Sequence, residues 1–238
     1  MALARRPFLT RIGSTGLLPQ TSQNRLRLIE NQLSQFARQF NDQDEVFQKQ
    51  AGFRLERMSQ QLDELLRYEL SFVQTETWRT VYQSVLSHCS TRRYLSVALI
   101  EHEDYWRDQP GQASLEFNYD LVQHGFYVHR RFIIDEFLWP PGAVHPAGEI
   151  LSSIEEQATH GIDVTLIRKS DLESEPTLIR DFGIYGDRAV GYQSLDDQAR
   201  TTRYVLRFGK QAIEKAEELW WQLDLYAVPL EELLDRRA

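Results

Sequence analysis

His129-Arg130-Arg131 and Asp135 form the first group whose residue types could do chemistry. Side chains alternate along a strand, so His129, Arg131, Ile133 and Asp135 share one face and Arg130 takes the other. An imidazole beside a guanidinium suits a phosphate or a carboxylate. The structural alternative is a strand-end salt bridge to acids such as Glu101 or Asp104. A second group is Glu101-His102-Glu103-Asp104-Tyr105-Trp106. Carboxylates and a histidine can hold a divalent cation, but the consecutive spacing matches no known ligand pattern. A solvated acidic loop anchored by Trp106 is the alternative. Trp106, Trp139 and Tyr185 could also line an apolar pocket. A third group, residues 196–203, offers Arg200 and Arg203, as an anion site or as ion pairs to Asp181 or Asp187 across a hairpin. His88-Cys89 has no partner at metal-ligand spacing, and packing explains that cysteine better than nucleophilic chemistry. The chain holds no glycine-rich phosphate loop, no serine elbow and no His-Glu-x-x-His.

Two kinds of element must position these groups. No proline occurs from residue 20 to 109, and the only glycine before Gly125 in the stretch 20–110 is Gly52. Apolar residues recur at Leu26, Ile29, Leu33, Phe36 and Phe40, a heptad-like stripe on one helix face. Asn41-Asp42-Gln43-Asp44 interrupts it, and a second stripe follows at Phe47, Ala51, Leu55, Met58, Leu62 and Leu65. The phase slips near Gly52, so either one long helix carries a stutter or two helices meet at 41–45. Residues 22–90 are thus expected to be helical, with a third helix at 74–89. The narrow stripe favours a seam with another helix, hence a homodimer, over a hairpin packed on its own domain.

From residue 93 the pattern alternates. Strands are expected at 94–100, 126–134, 162–167, 182–193 (broken by Gly186-Asp187-Arg188) and 202–208. Helices are expected at 114–124, 146–160 and 210–225. His124-Gly125-Phe126 and His160-Gly161-Ile162 each read as a helix stopped by glycine and followed by a parallel strand. The expected fold is α/β, a mostly parallel or mixed sheet flanked by helices, preceded by an α-helical, coiled-coil region. The expected division is a flexible basic tail at 1–21, the helical region at 22–90, the α/β domain at 91–228 and a C-terminal tail at 229–238.

Composition excludes several classes. The chain has 238 residues, 42% hydrophobic and 26% charged, a globular balance. Mean hydropathy is -0.48, and no apolar run approaches the roughly 20 residues of a membrane-spanning helix, so no membrane span is expected. One cysteine excludes an internal disulfide framework and an all-cysteine metal site. The net charge of -8 is unevenly placed: residues 1–29 hold five arginines and no acid, leaving the remainder at -13. That arm reads as a flexible tail, with an organelle transit peptide over 1–25 or a nucleic-acid contact as alternatives to a cytoplasmic protein without nucleic acid.

The order strand, helix, Gly-strand, helix, Gly161-Ile162-Asp163-Val164, strand pair and terminal helix resembles one half of the phospholipase D superfamily, over residues 93–225. The family's signature strand reads His-x-Lys-Phe, with Gly-Ser beyond a turn. The matching stretch here looks like Ile179-Arg180-Asp181-Phe182 through Gly191-Tyr192. Ile179 stands at the family's histidine, Asp181 at its lysine and Tyr192 at its serine. The family reaction needs a histidine nucleophile and lysines for the oxyanion. Isoleucine has no lone pair, and aspartate repels phosphate. The resemblance therefore implies a degenerate, regulatory or sensory domain with no catalytic residue, metal or cofactor. Its candidate ligand pocket comprises His102, Trp106, His129, Arg131, Asp181, Tyr185, Arg200 and Arg203, open to a small anionic ligand or a protein partner. A phosphodiesterase or nuclease using His129 and His102 is the enzymatic alternative; a nucleic-acid-binding regulator using the arginine arm is the third.

Overall fold

A computed structural model describes residues 19–40, 44–75, 77–103, 109–196 and 201–235. The basic arm up to residue 18, Asp104, Trp106 and Arg200 lie outside the described residues. The chain divides into two compact units, Met1–Leu62 and Asp63–Ala238.

The first unit is helical. α1 spans Gln20–Gln39 and α2 starts at Glu45 and runs to Leu66. Of the two readings of the stripe, two helices is the one observed. Asp44 caps α2: its Oδ1 accepts from the amides of Val46 at 2.9 Å and Phe47 at 3.1 Å, satisfying donors that a helix start leaves open. The Phe36 ring meets those of Phe40 at 5.3 Å and Phe47 at 6.5 Å. Neither helix buries a single residue.

The second unit is α/β. Its 8-stranded mixed sheet has the order β1-β7-β6-β5-β2-β3-β4-β8. The strands are β1 Glu69–Val73, β2 Arg93–Ile100, β3 Tyr127–Ile134, β4 Asp163–Arg168, β5 Asp181–Tyr185, β6 Ala189–Leu195, β7 Thr201–Phe208 and β8 Val228–Pro229. β2, β3 and β4 run parallel, and the other neighbours pair antiparallel. The crossovers are α4 (Gln109–Gln123) and α5 (Gly148–Thr159). Gly125 at φ 80° and Gly161 at φ 85° end them in the left-handed region, where a side chain is strained. Both helix-glycine-strand expectations hold.

The sheet buries both faces, as the near-continuous apolar runs of β2 to β4 require. α3 (Trp78–Ser87), α4, α5 and α7 (Leu230–Asp235) cover one face with Trp78, Tyr82, Leu115, Ile154 and Leu233. α6 (Lys210–Asp224) covers the other with Ile213, Ala216, Trp220 and Leu223.

Two expectations need correction. Residues 69–73, read as helix, are the edge strand β1, whose Leu70 and Phe72 alternate onto the α3 face. Residues 229–238, read as a tail, include α7, and Leu230 and Leu233 are buried. An amphipathic turn six residues long gives too weak a periodic signal to be separated from a tail.

Candidate functional site

β3 holds His129 and Arg131 on the face covered by α6, as strand alternation requires. His129 is closed in: Tyr127 Oη lies 3.0 Å from Nδ1, and Thr165 Oγ1 lies 3.3 Å from Nε2. Tyr127 donates to Asp163 Oδ2 at 2.8 Å, so its oxygen is left to accept from Nδ1–H, and Nε2 accepts from Thr165. The ring edge packs on Trp220, centroids 5.0 Å apart. Burial lowers the His129 pKa from its ordinary value, against Asp163, which raises it. Burial and the bond to Asp163 push Tyr127 up to about 12. Both ring nitrogens are therefore hydrogen-bonded within the protein.

Arg131 is closed in the same way. Its guanidinium stacks 4.0 Å from the Trp220 ring centroid and donates to the Trp220 carbonyl and to Asp224 Oδ1. Its side chain is 2% exposed. The acids beside these two side chains are Asp163, whose Oδ2 lies 3.7 Å from His129 Nδ1, and Asp224, which pairs with Arg131, not the Glu101 expected. Glu101 begins the loop after β2, about 20 Å of strand from the level of His129.

The ends of the parallel strands, where α/β sheets usually take ligands, are built differently. β2, β3 and β4 are each followed by a charged residue: Glu101, Asp135 and Lys169. Lys169 Nζ reaches Glu101 Oε1 at 2.6 Å and Asp135 Oδ2 at 2.8 Å. Burial alone would lower the Lys169 pKa, but the two carboxylates outweigh it and hold it above the ordinary value. The Lys169 bond pulls Asp135 below its ordinary range, with His102 adding a favourable charge. Lys169 was missed from the sequence, although one charged residue just after each parallel strand was there to be read. A cleft of about 430 Å³ opens beside this edge, lined by Trp139, Arg168, Asp171, Tyr226, Val228 and Leu233. Arg168 stacks 4.2 Å from the Trp139 centroid and donates to the carbonyls of Pro140, at 2.8 Å, and Ala143.

The remaining candidates do not join His129 and Arg131. Asp181 opens β5 opposite Gln193, on the face away from α6. Tyr185, on that face too, is buried and its hydroxyl bonds that of Tyr204. Desolvation first, then neighbouring phenols, raises both well above the ordinary tyrosine value. Arg203 reaches Glu64 Oε1 at 3.7 Å and Ser71 Oγ at 3.3 Å, not Asp181 or Asp187. Asp187 instead accepts from Ser90, N at 2.9 Å and Oγ at 2.5 Å. Those bonds hold its carboxyl down at about 2. Ile179 packs against the α6-side core. The six candidates among the described residues, His102, His129, Arg131, Asp181, Tyr185 and Arg203, thus divide between the two sheet faces and the loop after β2 and form no single cavity there. No group of three His, Cys, Asp or Glu there could hold a metal ion, and no helix there is long and apolar enough to cross a membrane.

Fold and site together define an α/β protein with a mixed sheet, whose histidine and arginine centre is closed by its own side chains. No family model matches the chain, and no curated protein matches it.

Proposed function

We propose that this protein is a non-enzymatic regulatory or sensory protein of the cytoplasm. It self-associates through its N-terminal helices and binds a small anionic ligand or a protein partner through a catalytically degenerate phospholipase D-like domain. The element order from β2 to α6 is the one on which that resemblance rests. The observation that carries the reading is Ile179. Where the resemblance puts a nucleophile, an aliphatic side chain packs into the core, with Asp181 at the position of the phosphate-binding lysine. The cations at the end of β4 are engaged within the protein: Lys169 by two carboxylates, Arg168 by backbone carbonyls. A cleft beside Arg168, walled mostly by apolar side chains with Asp171 among them, is where the ligand or partner segment would enter.

The test is hydrolysis of bis-p-nitrophenyl phosphate by the full chain, beside its His129→Ala variant. Equal background rates are expected. Turnover by the wild type that His129→Ala abolishes would overturn the non-enzymatic reading. Light scattering at micromolar concentration tests the other half, and a mass near 28.0 kDa would overturn self-association.

A further inference from the structure

We infer that α1 pairs with α1 of a second copy of this chain as a parallel, in-register coiled coil, set by Arg25 and the partner's Glu30. The inference rests on the self-association proposed above and specifies its geometry.

The need for a partner comes from burial. Isolated helices of this length are marginal in water, and most helix stability in proteins comes from packing an apolar face. α1 has 20 residues and buries none of them. Ile29 is 41% and Leu33 39% exposed in the middle of its stripe. α2 repeats the situation, with Leu55 37%, Met58 42% and Leu62 51% exposed.

The kind of partner comes from spacing. Leu26, Leu33 and Phe40 fall at heptad position a, and Ile29 and Phe36 at d. A seam of two such rows is complementary to a copy of itself. The flanking e and g positions are Gln23, Arg25, Glu30, Gln32, Ala37 and Gln39, of which only Arg25 and Glu30 carry charge.

The direction comes from those two. In a parallel, in-register pair, each g residue faces the partner's e residue five positions on. Arg25 then meets the partner's Glu30, twice by symmetry. In an antiparallel pair that layers Leu26 on the partner's Phe36 and Ile29 on the partner's Leu33, g meets g and e meets e. Arg25 would then face the partner's Gln39, and Glu30 the partner's Glu30. Only the parallel arrangement pairs the charges.

The experiment uses the full chain in a Cys89→Ser background. Leu26→Cys and Phe36→Cys are made separately, mixed in equal amounts, oxidised mildly and resolved by non-reducing mass spectrometry beside light scattering. The expected result is a dimer mass with 26–26 and 36–36 disulfides. A dimer mass with 26–36 disulfides would overturn the parallel arrangement while leaving self-association standing. A mass near 28.0 kDa would overturn both. Charge reversal gives a second readout without new cysteines. Arg25→Glu and Glu30→Arg should each weaken the dimer about fourfold to tenfold, and the double variant should restore it. Single reversals that leave the dimer constant unchanged would also overturn the parallel register.

Discussion

Arg131 lies over the indole of Trp220, 4.0 Å from the ring centroid, and bonds both the carbonyl of that residue and Asp224 one turn further along α6. The central parallel strand β3 is thereby fastened to α6 on that side of the sheet. A buried guanidinium with a half-exposed carboxylate is an asymmetric pair, since Asp224 is 54% exposed and Arg131 only 2%. Removing Asp224 strands a buried charge; removing Arg131 lets the carboxylate return to water. Asp224→Ala should therefore cost about 2–3 kcal/mol, whereas Arg131→Met should stay within about 1 kcal/mol of wild type. Urea unfolding followed by circular dichroism measures both, and the reverse ranking would refute the asymmetry.

His129 gives the pH dependence. Its pKa in the folded protein lies below the ordinary 6.5, so the unfolded chain takes up its proton first as pH falls. The contribution to stability is fully present above 6.5 and is lost progressively below it. His129→Gln should flatten that part of the profile. Urea midpoints taken at about pH 7.5 and about pH 5.5 should differ less in the variant than in wild type.

Two glycines are predicted to respond with opposite signs. Gly183 and Gly191 pair across β5 and β6 beneath the bonded hydroxyls of Tyr185 and Tyr204. A Cβ at Gly191 would run into the Tyr204 hydroxyl. Gly191→Ala should cost about 1–3 kcal/mol through overpacking. Gly52 sits inside α2 with nothing within 4 Å of an added Cβ. Gly52→Ala should strengthen that helix by about 0.5–1 kcal/mol, read as a gain in helicity on thermal melting.

Truncation after residue 227 removes β8 and α7. Leu230 and Leu233 are 5% and 2% exposed against the α3-side core. Losing two buried leucines should cost about 3–6 kcal/mol and lower the Tm markedly. A truncated chain that melts with the wild type would show that the helix merely rests on the sheet.

Much of this was legible in local periodicity. The apolar stripe of α1 follows from steps of three and four, and the shared face of His129 and Arg131 follows from steps of two. Gly125 and Gly161 announced the parallel pairs β2–β3 and β3–β4 because a helix that ends in a left-handed residue must turn back. β1 was not legible. Its five residues follow a 22-residue helix after a two-residue turn, and they become a strand by pairing with β7, from Glu69 with Arg207 to Val73 with Arg203.

The residues by themselves therefore determined the classes of element and the interrupted helical stripe. Those are properties of neighbours within a few turns. Only the tertiary structure decided what His129 and Arg131 touch. Asp163 stands 34 residues beyond His129, and Asp224 stands 93 beyond Arg131, on a helix whose docking depends on the whole sheet. A side chain's role in a site is set by the partners that enclose it, and chain folding, not spacing, chooses partners that far away.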